Sequence, residues 1–241
     1  DVARPMLTYG ESEDADVRIT DIVAHGAKTA FSVVLPDGSE KLDIELNLTG
    51  KHNVLNATAA ISIAWELGVT RAAIGESLSR FSGIGRRCQI TENVSVANGH
   101  VRHIDDYGHH PNEIAATLSG IRAAWPEQRL TVLFQPHRYS RTRDLFEDFT
   151  QVLADVDQLV LLDVYPAGES HIKDADGRAL ARSIRARGKV DPVFVEELAG
   201  LDEVVDTVLQ DGDIFVTLGA GSIGAWAAEF LSRHAPSGGA K

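Results

Sequence analysis

Cysteine and long apolar runs are almost missing from this sequence. Cys88 is the only cysteine in 241 residues, so no disulfide can form within the chain, and a single cysteine is typical of a reducing compartment. No apolar run approaches the roughly 18 residues of a membrane-spanning helix, and residues 1–5 lack the basic and then apolar order of a secretion signal. We therefore expect a cytoplasmic protein with no membrane partner.

Positive charge is also scarce. Lys and Arg number 23 against 35 Asp and Glu, which gives a formal net charge of -12. Because a nucleic-acid-binding surface is basic, this balance predicts that nucleic acid is not a partner. The chain is 44% hydrophobic and 24% charged, a globular composition, and its length suits one large or two medium domains.

The sequence contains no Walker-type phosphate loop, which needs glycine, four residues and then Gly-Lys-Ser/Thr. Gly-Ala-Lys-Thr at residues 26–29 lacks the second glycine, and Gly-Lys at residues 50–51 is followed by His52. If the protein uses ATP, the groups that hold the triphosphate are therefore not in this chain.

The first third of the chain predicts a β meander followed by two helices. Alternating β-branched runs are typical of half-buried strands, and they occur at residues 16–23, 29–34 and 42–48. Helical spacing of apolar residues follows at residues 53–67, and Thr70 is a suitable N-cap for the next helix.

A hinge is predicted next, because Gly83 and Gly85 lie close together and the pattern changes after them. We therefore place one domain at residues 1–84 and a second at residues 85–241. In the second, short apolar strands alternate with amphipathic helices. The predicted strands are 88–96, 101–104, 130–134, 159–164, 193–195 and 214–218, and the helices begin at Pro111 or cover 143–154, 178–186, 201–209 and 223–232. This alternation predicts an α/β fold with a doubly wound, mostly parallel, Rossmann-like sheet.

Polar loops follow the strands of this sheet. Residues 103–113 read His-Ile-Asp-Asp-Tyr-Gly-His-His-Pro-Asn-Glu, and residues 135–143 read Gln-Pro-His-Arg-Tyr-Ser-Arg-Thr-Arg. Ligands in such sheets bind at the carboxyl ends of the strands. We therefore expect these loops, with residues 163–169 and 219–221, to contribute to one site.

Several chemistries are open for the first loop. Asp105, Asp106, His109 and His110 combine carboxylate and imidazole ligands that suit zinc or manganese, which would make the protein a metal-dependent hydrolase. Against this, the cluster has no separated third group of ligands. The other interpretations are a nucleotide or substrate site and a plain strand-to-helix turn that Asp106 caps.

The second loop also has two interpretations. His137, Arg138 and Arg141 suit a small carboxylate or phosphate, because guanidinium groups present paired donors, but they also suit a solvated basic turn. Asn53 and Asn56 lie three residues apart at a predicted helix start, where their amides could pair with an adenine edge, unless Asn53 is only an N-cap.

Two shorter motifs are ambiguous in the same way. Arg86 and Arg87 could clamp a phosphate or lie solvated at the surface. Gly-Ala-Gly-Ser at residues 219–222 could bind phosphate, or its glycines could allow close packing of strand and helix.

Four motifs, in order, closely resemble those of the Mur ligases, the ATP-dependent enzymes that add amino acids to the muramyl precursor of bacterial peptidoglycan. They are Gly-Lys-His-Asn-Val-Leu-Asn-Ala at 50–57, Arg-Arg at 86–87, Asp-Asp-Tyr-Gly-His-His-Pro-Asn-Glu at 105–113 and Gln-Pro-His-Arg-Tyr-Ser-Arg-Thr at 135–142. The resemblance extends from Arg4 to Trp226 and is closest to the members that add L-alanine. The run from His137 to Arg141 favours these over the murein-tripeptide recycling ligases, the nearest alternative within the family.

The resemblance implies a longer enzyme. Mur ligases have three domains, and this chain resembles the end of the central ATPase domain followed by the whole C-terminal domain. We therefore expect a fragment that is inactive alone, which agrees with the missing phosphate loop and initiator methionine. The implied partners are UDP-N-acetylmuramic acid, L-alanine and the missing N-terminal part, and the implied cofactors are ATP and Mg²⁺, whose ligands are expected mainly in that part. A non-catalytic nucleotide-binding module is a further alternative.

The resemblance also implies residue roles. The residues expected to bind nucleotide are His52, Asn53, Asn56, Arg87 and Asp106. Those expected to bind L-alanine are Tyr107, His109, His137, Arg138 and Arg141. His109 and Arg87 are expected to act in catalysis, and no residue is expected to bind a metal. Cys88 stands where the family usually has an aromatic residue.

Overall fold

The structure is a computed structural model that describes residues 6–81 and 83–235. It divides into two compact units. One contains the chain up to Gly83 together with Leu118–Pro126, and the other contains Ile84–Thr117 and the chain from Glu127 onward. The assignment of family domains to residues 1–84 and 85–241 stays a prediction.

The first unit contains a small sheet and two helices. Its elements are β1 (Tyr9–Gly10), β2 (Val17–His25), β3 (Lys28–Val34), β4 (Leu42–Leu46), α1 (Lys51–Glu66) and α2 (Arg71–Arg80). The strand order is β1-β2-β3-β4, and β2, β3 and β4 form the predicted antiparallel meander. The two-residue β1, parallel to β2, was not predicted, because it is too short to show any alternation.

The helices cover the apolar face of this sheet. Phe31 and Ile44 of the sheet, Val54 and Ile61 of α1 and Ile74 of α2 belong to one buried cluster. This burial explains why a meander with one apolar face is stable here. The α2 helix begins as predicted, since the Thr70 hydroxyl accepts a hydrogen bond from the Ala73 amide.

The second unit is built on a larger sheet. Its elements are β5 (Gln89–Val96), β6 (Gly99–Asp106), the first half of α3 (Pro111–Ala124), β7 (Leu130–Phe134), α4 (Tyr139–Asp144), α5 (Phe146–Leu153), β8 (Gln158–Leu162), α6 (Gly177–Ala186), β9 (Val193–Val195), α7 (Leu201–Val208), β10 (Ile214–Leu218) and α8 (Ile223–His234). The residues of α3 from Leu118 onward belong to the first unit. The six strands follow the order β5-β6-β10-β7-β8-β9, and all pairs except the antiparallel β5-β6 are parallel. The predicted mostly parallel α/β sheet is confirmed.

The central strands are buried over their whole length. Every residue of β7 and β10 is buried, as continuous apolar runs in a sheet covered on both faces require. Phe215 of β10 packs with Trp226 and Phe230 of α8 in a core cluster that also contains Leu133 and Val160. This core fixes the strand ends, and therefore the loops that follow them.

One predicted helix is different in the structure. The segment expected at 143–154 is divided into α4 and α5, with Leu145 between them at φ -116°. The first helix begins earlier because Arg138 takes a left-handed φ of 74° and turns the chain directly after the strand. The start of α4 cannot be predicted from the sequence, because the basic run from Arg138 has no apolar periodicity.

Within the part of the chain that the structure describes, no helix combines the length and apolarity needed to cross a membrane.

Candidate functional site

Three central strands of the large sheet end level with one another. Leu218, the last residue of β10, is paired with Asp106 at the end of β6 and with Phe134 at the end of β7. The segments that leave these strands therefore start from one edge of the sheet, where parallel α/β sheets bind ligands. Most of the predicted site residues of this unit lie here.

A row of four rings runs along this edge. Tyr107 meets His109 edge-on with ring centroids 5.4 Å apart, and His109 meets His137 in the same way at 5.8 Å. Beyond them, His137 stacks on Tyr165 at 5.5 Å. Tyr165 was not among the predicted site residues; its one signal was its position directly after a strand, in a segment expected at this edge.

The paired arginines have different environments. Arg86 is held by Asp105, with Nε and Oδ2 3.0 Å apart, and it donates to the carbonyl of Gly219 at 2.5 Å. Arg87 is exposed, and its guanidinium lies 5.6 Å from the centre of the Tyr107 ring. The two residues therefore do not act as a symmetric phosphate clamp: Arg86 joins strand ends, and Arg87 faces solvent.

A buried hydrogen-bond chain lies behind Arg86. The Thr217 hydroxyl donates to Asp105 at 2.8 Å, and the Nε2 of His103 lies 3.1 Å from the same hydroxyl oxygen. Burial raises the pKa of Asp105, although the nearby Arg86 and the Thr217 hydroxyl oppose the rise. Burial lowers the pKa of His103 from 6.5 to about 3, so its ring is neutral in the folded protein.

The His103 ring should make the chain sensitive to acid. Since its pKa of about 3 in the folded state lies below 6.5, the unfolded chain binds the proton first as the pH falls, and stability is lost. Between about pH 6.5 and about pH 4.5 this should cost about 2 kcal/mol. Urea unfolding of His103→Phe, whose ring would pack beside Phe215 and Phe230, should show a decline in stability that is smaller by this amount. If His103→Phe loses as much stability between these two pH values as the unaltered chain, His103 is not the group that causes the acid sensitivity.

Asp106 ties two loops together. It is only 4% exposed, and its carboxylate accepts hydrogen bonds from the Cys88 amide at 2.9 Å and from the Gly108 amide at 2.7 Å. The Cys88 thiol is buried beside it, and this burial, together with the Asp106 charge, raises the pKa of Cys88. Asp106 therefore caps the turn, as one of the sequence interpretations had it, and its role toward nucleotide stays a prediction.

Glu113 closes the same turn. Its Oε2 accepts the amides of His109 at 3.0 Å and His110 at 3.2 Å, and it lies 3.3 Å from the Nδ1 of His109. Partial burial acts to raise the pKa of Glu113, but the hydrogen bonds from the two amides, together with the nearby charges of His109 and Arg87, lower the net pKa. Glu113 was not predicted as a site residue, although a glutamate in the first turn of a helix is a recognisable cap signal.

The basic loop after β7 supplies the cationic part of the site. Arg138 is exposed, and its amide donates to the Tyr165 carbonyl at 2.9 Å. Arg141 lies beside His137, with Nη1 3.4 Å from Nδ1 and 3.2 Å from the His137 carbonyl oxygen. Partial burial lowers the pKa of His137, and the charge of Arg141 adds to the effect. This loop also binds Glu169, which accepts both the amide and the hydroxyl of Ser140.

The glycine-rich turn at residues 219–222 is a packing feature. A Cβ on Gly221 would lie 2.5 Å from Oε1 of Gln135, and one on Gly219 would lie 2.8 Å from the Gln135 carbonyl oxygen. The Ile223 amide at the start of α8 is already bonded to Gln135 Oε1 at 2.9 Å. The close-packing interpretation therefore explains these glycines better than the phosphate-loop interpretation.

The predicted nucleotide residues of the first unit lie on α1. The N-cap of this helix is Gly50, at φ 96°, and Asn53 instead donates from Nδ2 to the Thr49 carbonyl at 2.8 Å. Asn53 is therefore not the N-cap, because the helix starts two residues earlier than the apolar spacing indicated. Asn53 is buried, Asn56 is exposed and His52 is partly exposed, and their binding roles stay predictions.

Across residues 6–81 and 83–235, no group of three or more His, Cys, Asp or Glu side chains is arranged to hold a metal ion.

The second unit is thus a doubly wound α/β domain with a ring-lined and arginine-lined edge at the carboxyl ends of its strands. The chain belongs to the Mur ligase family. Residues 86–221 match the family model described as "Mur ligase, glutamate ligase domain", and residues 2–64 match the Mur ligase middle domain.

Curated relatives are similar over nearly the whole chain. The UDP-N-acetylmuramate--L-alanine ligase of Methylococcus capsulatus is 53% identical over 232 residues, which cover 96% of this chain and 49% of that protein. The enzyme of the same name from Halorhodospira halophila is 52% identical over 240 residues, again 49% of its length. The chain therefore spans about half the length of these relatives.

Solved structures agree. The UDP-N-acetylmuramate-alanine ligase MurC of Thermotoga maritima matches with a TM-score of 0.77 and 28% identity, over 94% of this chain and 47% of that one. A murein peptide ligase of Psychrobacter arcticus matches with a TM-score of 0.60 and 22% identity, over 93% and 45% of the two chains, and shows the same fold.

Proposed function

We propose that this chain forms the amino-acid-accepting part of an ATP-dependent ligase that joins L-alanine to UDP-N-acetylmuramic acid in peptidoglycan precursor synthesis. Two relatives named for this reaction support the proposal, with 53% and 52% identity. We call the longer protein, of which we infer this chain to be about half, the complete ligase. Its remaining part would hold the phosphates of ATP, since this sequence has no Walker-type loop.

The observation that carries the proposal is the close pairing of Arg141 with His137, with Arg138 on the same loop. Guanidinium groups bind carboxylates with two parallel hydrogen bonds, which suits the carboxylate of a small amino acid. The neighbouring His109, whose Nδ1 lies beside the Glu113 carboxylate, offers a hydrogen-bond acceptor for the amino end, in contrast to the cationic arginines. A zwitterion such as L-alanine matches both.

The chemistry would proceed through an acyl phosphate. Transfer of the γ-phosphoryl group of ATP to the muramyl carboxylate supplies a good leaving group, and the amine of L-alanine then displaces phosphate. In this chain, Arg138 and Arg141 would hold the amino acid by its carboxylate, and the rings of Tyr107, His109 and His137 would limit its position.

Nucleotide-binding roles are proposed for each unit by itself. In the first unit they fall to His52, Asn53 and Asn56, and in the second they fall to Arg87 and Asp106. The donor set fits this role: Arg87 and Asn56 are exposed, and the bond from Asn53 to Thr49 uses Nδ2 and not the amide oxygen. Mg²⁺ would neutralise phosphate charge, and we assign its ligands mainly to the rest of the complete ligase.

The purified chain alone is expected to release no ADP from ATP in the presence of L-alanine and UDP-N-acetylmuramic acid. The complete ligase should release ADP only when both substrates are present. A coupled assay of ADP formation measures both. ADP release by the chain alone would contradict the proposal that the rest of the complete ligase holds the phosphates of ATP. A complete ligase that prefers the recycled tripeptide to L-alanine would show that L-alanine is not the substrate that is added.

A further inference from the structure

Two histidines of the ring row have their Nδ1 atoms occupied by opposite kinds of partner. The Nδ1 of His109 lies 3.2 Å from the Tyr107 carbonyl oxygen and 3.3 Å from Oε2 of Glu113. Both partners only accept hydrogen bonds at neutral pH, since Glu113 has a lowered pKa and is ionised. The proton of a neutral His109 must therefore be on Nδ1, and its Nε2 presents a lone pair.

The second histidine has the reverse arrangement. The Nδ1 of His137 lies 3.4 Å from Nη1 of Arg141, and a guanidinium can only donate. The Nδ1 must therefore accept, so the proton of His137 is on Nε2. Partial burial and the charge of Arg141 lower the pKa of His137 and keep this ring neutral. In the part of the chain that the structure describes, no hydrogen bond uses the Nε2 of either ring.

The geometry points to Glu113 and Arg141 as positioning residues that hold the two rings in opposite tautomers. His109 then offers an acceptor at Nε2 for the α-ammonium group of the incoming amino acid, and His137 offers an Nε2–H donor for its carboxylate. The inference rests on the proposed function and adds the direction in which the amino acid lies, with its amino end at His109. The two rings meet edge-on with their centroids 5.8 Å apart, so one small amino acid can contact both.

The proton transfer follows from this arrangement. An N–H bond of the substrate ammonium breaks and its proton passes to Nε2 of His109, which leaves a lone pair on the amine nitrogen. That lone pair forms the C–N bond at the acyl carbon, and the C–O bond breaks with its electrons leaving on phosphate. The departing phosphate takes the second proton from the nitrogen, which leaves a neutral amide. Glu113 stabilises the resulting imidazolium, as a carboxylate hydrogen-bonded to a histidine does in hydrolytic triads. His109 is faced by Glu113 from α3, by Tyr107 from its own segment and by His137 from the segment after β7.

The tautomers can be read in this chain without any activity. Long-range ¹H–¹⁵N correlation spectra at about pH 8, where an ordinary histidine is neutral, should show His109 protonated on Nδ1 and His137 on Nε2. Glu113→Gln should increase the Nε2–H form of His109. The control Glu147→Gln, an exposed residue that pairs with Arg187, should leave both rings unchanged. The opposite tautomer at either ring of the unaltered chain, or a His109 ring unaffected by Glu113→Gln, would overturn the inference.

A second measurement tests the proton transfer in the complete ligase. Glu113→Gln should slow ligation of L-alanine about 100-fold, the usual contribution of a positioned proton acceptor. Hydroxylamine, whose nitrogen is uncharged at neutral pH, needs no such acceptor, so hydroxamate formation should be nearly unchanged. Equal losses with both nucleophiles would contradict the role of Glu113. Correct tautomers in a complete ligase that never uses L-alanine would instead overturn the proposed function and the proton transfer built on it.

Discussion

Replacement of Arg141 by alanine in the complete ligase is expected to raise the KM for L-alanine about 100-fold and to leave the KM for ATP unchanged. A hydrogen-bonded pair between a guanidinium and a carboxylate contributes about 2 to 3 kcal/mol when one partner is removed. Arg141 is partly buried, and its Nη1 donates to the His137 carbonyl oxygen, which holds its guanidinium beside the ring row. Steady-state kinetics with each substrate varied in turn measures the effect.

The chain offers a matched control two residues away. Arg143 lies on the same short helix but is exposed and paired with Asp144, and Arg143→Ala should leave both KM values unchanged. Arg141→Lys should fall between the two, because lysine keeps the charge but loses the planar pair of donors. Equal increases in the KM for L-alanine from Arg141→Ala and Arg143→Ala would show that the loop acts only through its total charge.

Asp106→Ala is expected to destabilise this chain by about 2 to 6 kcal/mol, because two buried amides each lose their acceptor at a cost of about 1 to 3 kcal/mol. The amides are those of Cys88 and Gly108, both buried. Urea unfolding compared with the unaltered chain gives the loss directly.

Two further variants separate the possible causes. Asp106→Asn keeps one carbonyl oxygen and should lose about half as much stability, whereas Asp144→Ala at an exposed position should change stability little. If Asp106→Ala proves as stable as the unaltered chain, the carboxylate does not hold the two loops.

In the complete ligase, His109→Ala should impair the use of L-alanine with little effect on ATP, since His109 lies in the ring row and caps no loop.

Much of the fold could be predicted from local sequence. The bounds of β7, β9 and β10 follow from short apolar runs between turn signals, and they match the structure residue for residue. The start of α2 at Thr70 is equally local, because one hydroxyl and one amide three residues apart decide it. The starts of α1 and α4 were missed because a left-handed backbone at Gly50 and at Arg138, not an apolar pattern, begins each helix.

The candidate site shows the limit of local patterns. The motif residues could be named from the sequence, but nothing local separates Arg86 from Arg87 or Asp105 from Asp106. Their difference arises where Arg86 and Asp105 meet Gly219 and Thr217, residues more than a hundred positions further along the chain.

The sequence by itself determined the α/β fold class, the predominantly parallel sheet and the loops that carry the polar groups, because these depend on composition and on periodicities of a few residues. Tertiary structure alone decided which of those groups are buried in structural hydrogen bonds and which are exposed at the edge of the sheet. The last strand of the sheet, β10, is inserted between β6 and β7, and this long-range pairing buries Asp105 and partly buries Arg86, while Arg87 stays exposed. The environment of a charged group depends on such distant neighbours, and no pattern over adjacent residues specifies them.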